Sequence, residues 1–237
     1  MAYKLKKRYS NRNNYGAKRP TNDIKYICIH WTGNDGDSDE GNANYFATAI
    51  RNASAHAFVD DDSVTVSVPA NYTAYSVGVD YQDQGSTYAK KGRKFAGKAY
   101  NSNTYNIEIC DTKKDGKHQF SEKTIINAIA YTKKIMKKYH IDSNHVIRHF
   151  DVTGKICPLP FVVNEDKWKE FKANLECPLW IRTTTNGVKC RNVPSNKKGV
   201  YKLIGTLKKG KNVISIKSNL IIVYGGDIVK LLTIGFI

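Results

Sequence analysis

The run Ile24-Lys25-Tyr26-Ile27-Cys28-Ile29, closing on His30-Trp31-Thr32-Gly33, decides how the chain folds. Its leading residues are rich in β-branched and aromatic side chains and contain neither Gly nor Pro, which predicts a short buried strand. That strand ends on a histidine and opens into the Asp- and Gly-rich loop 34–41. Beyond the loop, Ala43, Phe46, Ala47 and Ile50 recur at helical spacing. Residues 55–59 and 64–68 then flank Asp60-Asp61-Asp62-Ser63, which predicts a hairpin. Residues 80–103 are Gly-, Tyr- and Lys-rich without a period and read as a long loop of the functional or mobile kind. Tyr105 to Cys110 is a second strand. Ser121 opens the strongest helix, with Phe120 and Ile125 placed to staple its start. Ile125, Ile129, Thr132, Met136 and Tyr139 form that helix's inner stripe. A further helix, from about Asn164 to Leu175, buries Trp168, Phe171 and Leu175. Strands alternating with helices define an α/β domain ending near Glu176.

The flanks differ in character. Residues 1–22 are polar and rich in Asn and Lys, and read as an extended arm, which leaves 23–176 as the α/β domain. From Cys177 to Ile237 the chain turns to short β-type runs separated by Gly, Asn and Lys, the pattern of a small all-β barrel. Of 237 residues, 38 are Lys or Arg and 21 are Asp or Glu, for a net charge of +17. Residues 177–237 carry 11 basic residues and one acid, Asp227, so +10 falls in 61 residues; residues 1–176 carry 27 and 20, giving +7. Such an excess predicts an anionic partner. Nucleic acid is the first class to consider, yet neither a helix-turn-helix, a zinc-finger spacing nor an RNA-binding motif accompanies the charge. No apolar run approaches the ~18 residues of a membrane span. The basic start has no hydrophobic stretch behind it, so no secretory signal is expected. The five cysteines, Cys28, Cys110, Cys157, Cys177 and Cys190, are odd in number and scattered, which does not suit a disulfide framework and suits a reducing cytoplasm.

Chemistry concentrates at three positions: His30 at the end of the first strand, then His149 and Cys157 within Arg148-His149-Phe150-Asp151-Val152-Thr153-Gly154-Lys155-Ile156-Cys157-Pro158. Two imidazoles and a thiolate suit zinc and leave a fourth position for water. Singly, each has an ordinary alternative: a small core cysteine, or a core histidine with satisfied nitrogens. Glu108 alternates with Ile107 and Ile109 and so points to the opposite face of its strand from them. Cys28 and His30 share a face of their own strand, so neighbouring strands would bring Glu108 near His30. The alternative for Glu108 is a solvated strand carboxylate, and for Lys155 one more exposed lysine. Asp151 reads either as a carboxylate holding the His149 imidazole or as a cap.

Taken in order, Ile29-His30-Trp31-Thr32, Asn44-Tyr45-Phe46, Ser54-Ala55-His56-Ala57-Phe58-Val59-Asp60-Asp61, Asn106-Ile107-Glu108-Ile109-Cys110, His149 and Lys155-x-Cys157-Pro158 resemble the zinc-dependent N-acetylmuramoyl-L-alanine amidases. These are the amidase type 2 proteins, related to phage lysozyme-type amidases and peptidoglycan-recognition proteins, and the resemblance covers about residues 20–176. It implies an α/β fold with a mixed central sheet flanked by helices and a zinc cleft on one side. It implies His30, His149 and Cys157 as Zn2+ ligands, Glu108 as general base and Lys155 as the group that stabilises the oxyanion. His56 matches a histidine beside the cleft, where it would bind substrate or support the transition state; Ala55 stands where some relatives place a tyrosine. The reaction implied is hydrolysis of the amide between N-acetylmuramic acid and L-alanine of the stem peptide.

Gly187 to Ser195 and Val200 to Gly210 resemble the opening half of bacterial SH3-like wall-binding domains. Residues 211–237 fit that family less well, since the late Gly-Trp segment is missing. The alternative is a basic β-module that solubilises or spaces. The whole reads as a phage-type endolysin, made in the host cytoplasm without a signal peptide and acting on the wall after release. Its partners would be bacterial peptidoglycan and anionic wall polymers, with no nucleic acid and no membrane span. A host autolysin of the same chemistry and a non-catalytic peptidoglycan-recognition protein are the other readings. The presence of Cys157 counts against the last.

Overall fold

A computed structural model describes residues 3–78, 91–114 and 116–176, and beyond them six short strands between residues 181 and 233. The chain divides into two compact units, Met1–Phe171 and Lys172–Ile237. The first is built from β1 (Lys4–Lys7), β2 (Tyr15–Lys18), β3 (Tyr26–Asp35), α1 (Asp39–Thr48), β4 (Ala57–Val59), β5 (Ser63–Val66), β6 (Tyr72–Ala74), β7 (Thr104–Lys114), β8 (Lys117–Gln119), α2 (Glu122–Tyr139), β9 (Val146–Arg148), α3 (His149–Thr153), α4 (Leu159–Val162) and α5 (Glu165–Glu176), the last running into the second. The central sheet has the order β1-β5-β4-β7-β3-β9, with β8 added along β7. β4, β7, β3 and β9 run parallel, while β5 pairs antiparallel with β4. The sheet is therefore mixed and flanked by helices, as the sequence predicts.

The pleat sorts the two faces. Ile27, Ile29, Ile107 and Ile109 are fully buried on one side. Tyr105 shares that side by alternation, and its hydroxyl meets that of Tyr131 on α2 at 2.7 Å, so α2 packs there. Ser121 caps α2 by accepting from the Thr124 N–H at 3.1 Å. The helix is turned from its predicted stripe. Ile129 and Thr132 are buried, but Ile125, Met136 and Tyr139 only partly, and the inner face runs through Thr124, Ala128, Tyr131 and Ile135. The reason is polar: Asn127 is buried and donates to the carbonyls of Asp60 and Asp61 at 2.9 Å, drawing the helix round towards the hairpin tip.

On the opposite side Phe46 of α1 stacks on Phe58 of β4, 5.6 Å between ring centroids. Cys28, Val77, Ala99, Ile147 and Val152 form a small core there, with Tyr26 and Phe95 packed against it. Arg93 and Phe95 donate from their backbones to the carbonyls of Phe150 and Asp151, tying residues 91–99 to α3. A side chain at Gly92 would place its Cβ 2.5 Å from the Phe150 carbonyl oxygen, so the close approach requires glycine.

The segment predicted as an arm is part of the domain. β1 pairs in parallel with β5, and β2 antiparallel with β6. Asn14 is buried, donating to the carbonyls of Phe46 and Ala49 and accepting from the Arg51 and Asn52 N–H groups. Arg19 donates to the carbonyls of Ala70, Asn101, Ser102 and Thr104 at 2.8–3.2 Å. Lys-Leu-Lys-Lys carries little hydrophobic signal because it forms a sheet edge, where lysine suits solvent.

In the second unit the described strands are β10 (Ile181–Arg182), β11 (Val188–Arg191), β12 (Leu203–Leu207), β13 (Asn212–Ser215), β14 (Leu220–Tyr224) and β15 (Leu232–Thr233). β10-β13-β14-β15 pair antiparallel in that order, and β11 pairs antiparallel with β12. The connections of the expected SH3-like barrel, and residues 80–90 of the predicted long loop, lie outside the described residues. Among the described residues no helix is long and apolar enough to cross a membrane.

Candidate metal centre

The parallel strands carry the site, but the first does not end at His30 as expected. β3 runs on to Asp35 and β7 to Lys114, so His30 and Glu108 stand mid-strand, while His149 and Cys157 follow the carboxyl end of β9. His30 lies in β3, directly in register with Glu108 of the adjacent β7. His149 follows at once after β9 and opens α3. Cys157 stands on the loop after α3, where its carbonyl accepts from the Phe150 N–H at 2.9 Å and holds the loop to the helix. The ligand atoms of His30, His149 and Cys157 all lie within 4.8 Å of one another, and all three side chains are buried. The cysteine sulfur is 3.9 Å from Nδ1 of His30, and the two imidazoles meet edge-on with centroids 4.8 Å apart.

Hydrogen bonding decides which imidazole nitrogens are free. Nε2 of His149 lies 2.9 Å from the Val77 carbonyl oxygen, which only accepts, so that nitrogen carries the proton. Nε2 of His30 lies 3.1 Å from Oδ1 of Asn106. Each ring therefore keeps Nδ1 as its free donor, the arrangement that metal-binding histidines adopt. Burial, then neighbouring positive charge, holds both rings neutral: His149 is lowered to about 4 by burial and by Lys155, and His30 well below its ordinary value by burial and by His149. Burial pushes the Cys157 thiol upward, with the Glu108 charge adding, against a hydrogen bond from the Trp31 backbone N–H. Two neutral imidazoles and a thiol that loses its proton to a cation form a donor set that fits a metal ion.

Glu108 sits beside this set with its Oε2 buried and without a hydrogen-bond partner. Burial raises its carboxyl to about 8, against the pull of Lys155, with Asp37 raising it further. Lys155 is exposed, yet its ammonium charge is felt by Glu108, His149, His30 and Cys157 alike, so it faces the same space.

Two sequence readings change. His56 is fully buried, not at a cleft: its Nδ1 accepts from the Asn106 N–H at 3.0 Å and its Nε2 faces the Tyr72 carbonyl at 3.1 Å. Arg19 lies 2.9 Å from the same Nε2, and burial with that charge lowers His56 to about 3. Both nitrogens are committed and the ring stays neutral, which leaves no group to offer a substrate. Asp151 is a cap rather than a partner of His149, since its Oδ2 accepts from the Arg148 N–H at 2.9 Å and both oxygens take the Arg148 guanidinium. Sequence reading missed the residues that hold the imidazoles. Val77 acts through its carbonyl, which every residue type has, and Asn106 was visible only as part of Asn106-Ile107-Glu108, two places before Glu108 and hence on the same face.

The domain is thus a mixed α/β sheet carrying a buried His-His-Cys set that could hold a metal ion. The family model described as N-acetylmuramoyl-L-alanine amidase matches residues 20–160, and the chain belongs to that family. A probable N-acetylmuramoyl-L-alanine amidase of Bacillus licheniformis is 30% identical over 198 residues, which cover 82% of this chain and 51% of the relative. The catalytic domain of XlyA superposes with a TM-score of 0.55 at 25% identity, covering 73% of this chain and 99% of that domain. A mutant endolysin from Bacillus subtilis gives a TM-score of 0.55 at 26% identity, covering 73% and 99%. The chain spans about half the length of the curated relatives it matches.

Proposed function

We propose that the protein is a zinc-dependent peptidoglycan hydrolase that cleaves the amide between N-acetylmuramic acid and L-alanine of the stem peptide, acting as a phage-type endolysin. The observation that carries this reading is the buried His30-His149-Cys157 set, with both free Nδ1 atoms defined, beside the unpartnered Oε2 of Glu108. When bound, zinc supplies Lewis-acid polarisation of the scissile carbonyl and a water of lowered pKa. His30, His149 and Cys157 would hold it. Glu108 takes the proton of the attacking water at Oε2 and passes it to the leaving amine nitrogen. Its burial moves the carboxyl up towards the working pH, which suits a group that both takes and returns a proton. The Lys155 ammonium compensates the negative charge that develops on the carbonyl oxygen. His56 holds the strand carrying Asn106 in place and takes no part in proton transfer.

Residues 177–237 form an SH3-like module that binds the wall, and their +10 charge fits an anionic polymer better than that of the near-balanced residues 1–176 does. The boundary between the two is placed at 176/177, and residues 1–22 go with the first domain through β1 and β2. The test is release of new L-alanine amino termini from purified peptidoglycan, with and without a zinc chelator. Release abolished by the chelator and restored by zinc is expected. No release under any condition would remove the amidase assignment, and release indifferent to chelation would remove zinc.

A further inference from the structure

Asn106 is the only side chain holding the His30 imidazole from behind among the hydrogen bonds of the described residues, and its own orientation is fixed by a chain of one-way bonds. The Tyr100 carbonyl can only accept, so the Thr104 hydroxyl, 2.8 Å away, must donate to it. With its proton used there, Thr104 Oγ1 can only accept, and the group 3.1 Å from it must be the amide NH2 of Asn106. The oxygen end of Asn106 is thereby left facing His30 Nε2, which must carry a proton to meet it. The backbone N–H of Asn106 is held as well, by Nδ1 of the buried His56. Asn106 and Thr104 are both fully buried, so water does not compete for these groups.

We infer that Asn106 is the positioning residue of the centre, and that Thr104 locks its amide so that His30 is held in the Nε2–H tautomer with Nδ1 turned to the metal ligands. This rests on the reading of His30, His149 and Cys157 as metal ligands, and it adds a specific source for the order of the site. The role of His149 is filled differently, by the Val77 carbonyl, whose segment is clamped where Asn101 Oδ1 accepts from the Ser76 and Val77 N–H groups. A backbone carbonyl cannot turn to present a donor, whereas an amide side chain can. The His30 arm is therefore the one that requires a lock, and Thr104 supplies it.

The test reads the metal-free protein as well as the loaded one. In 15N-labelled, chelator-treated wild type, the His30 resonances, identified by their absence in His30→Gln, should show a protonated Nε2 and an unprotonated Nδ1. Asn106→Ala should lose this fixed tautomer and weaken zinc binding, measured by competition with a chromophoric chelator, by about 10- to 100-fold. Asn106→Asp still offers His30 an oxygen acceptor and should keep both the tautomer and the affinity. Thr104→Val keeps the shape but frees the amide to turn, and should give a mixture of tautomers with an intermediate loss of affinity. A protonated Nδ1 in the wild type overturns the inference. So does a wild-type tautomer and affinity in Asn106→Ala or, should that variant fail to fold, in Thr104→Val. Wild type that binds no zinc but holds the Nε2–H tautomer overturns the metal centre while leaving the Asn106 lock standing.

Discussion

At the scale of single residues, Glu108 joins environment to chemistry most directly. Its register partner is His30, its Oε2 is without a partner, and burial raises its carboxyl to about 8. Glu108→Gln keeps the shape and removes the proposed base, so it should lower turnover of muropeptide by about 10²- to 10⁴-fold while leaving zinc binding intact. Equal turnover by wild type and variant would take Glu108 out of the mechanism. The same shift has a consequence for stability. Because the carboxyl titrates at about 8 in the folded state against 4.5 ordinarily, the folded state holds this proton more firmly than the unfolded chain. The stabilisation is full below about pH 4.5 and is lost as the pH rises through about 8. Glutamine does not titrate. In chelator-treated protein, the melting temperature of wild type should therefore fall relative to that of Glu108→Gln between about pH 5 and pH 8. The six histidines are common to both proteins and cancel in the comparison. Parallel profiles would mean that Glu108 is not desolvated in solution.

Among the elements, Arg148 carries the most. It ends β9 immediately before His149, pairs with Asp151 of α3 at 2.9 Å, donates to the Phe161 carbonyl of α4 at 2.9 Å, and reaches Glu165 of α5 at 2.7 Å. Its guanidinium also lies over the rings of Phe150 and Trp168. Arg148→Ala keeps the backbone N–H bond to Asp151 but leaves that buried carboxylate without its guanidinium, and should cost about 3–5 kcal/mol in denaturant unfolding. Glu165→Gln, which touches only the half-exposed end of the same network, should change stability by about 1 kcal/mol or less. Equal losses in the two variants would show that burial of Asp151 is not what matters. This junction also marks where the sequence stops being legible. β3, the β4–β5 hairpin, β7, α2 and α5 each carry a local signal: an apolar run, a turn cluster, or a cap with a periodic face. α3 and α4 are too short to show a period, and the Lys-rich β1 is specified by its partner β5 rather than by itself. The candidate ligands could be picked out because His, Cys and Glu are chemically distinctive. Their supports could not, since Asn106 and the Val77 carbonyl acquire their meaning only once strands distant in sequence are adjacent. His56 is the converse case, a conspicuous residue in a suggestive place whose nitrogens turn out to be spent on Asn106 and Tyr72.

For the whole molecule, the distribution of charge fits the proposed separation of hydrolysis from wall binding. Residues 1–176 contain both signs in near balance, 27 basic and 20 acidic, and several of their charges are used internally, as in Lys6 with Glu40 and Arg148 with Asp151. Residues 177–237 have one acid against 11 basic residues, so intramolecular pairing within the segment can neutralise almost none of them. An uncompensated field of this kind raises the local concentration of a polyanion, and it is screened over a Debye length that shrinks from about 30 Å at 0.01 M salt to about 3 Å at 1 M. Hydrolysis at the buried centre involves no comparable long-range field. The two activities should therefore respond differently to salt. Pelleting of the protein with purified cell walls should weaken steadily as NaCl rises, while hydrolysis of a soluble muramyl peptide changes little. Replacing Lys197, Lys198, Lys208, Lys209 and Lys211 with glutamine should reproduce the high-salt result at low salt, with wall binding reduced and turnover of the soluble substrate retained. Wall binding that resists both salt and these replacements would assign recognition to a neutral contact, with the basic residues serving solubility instead.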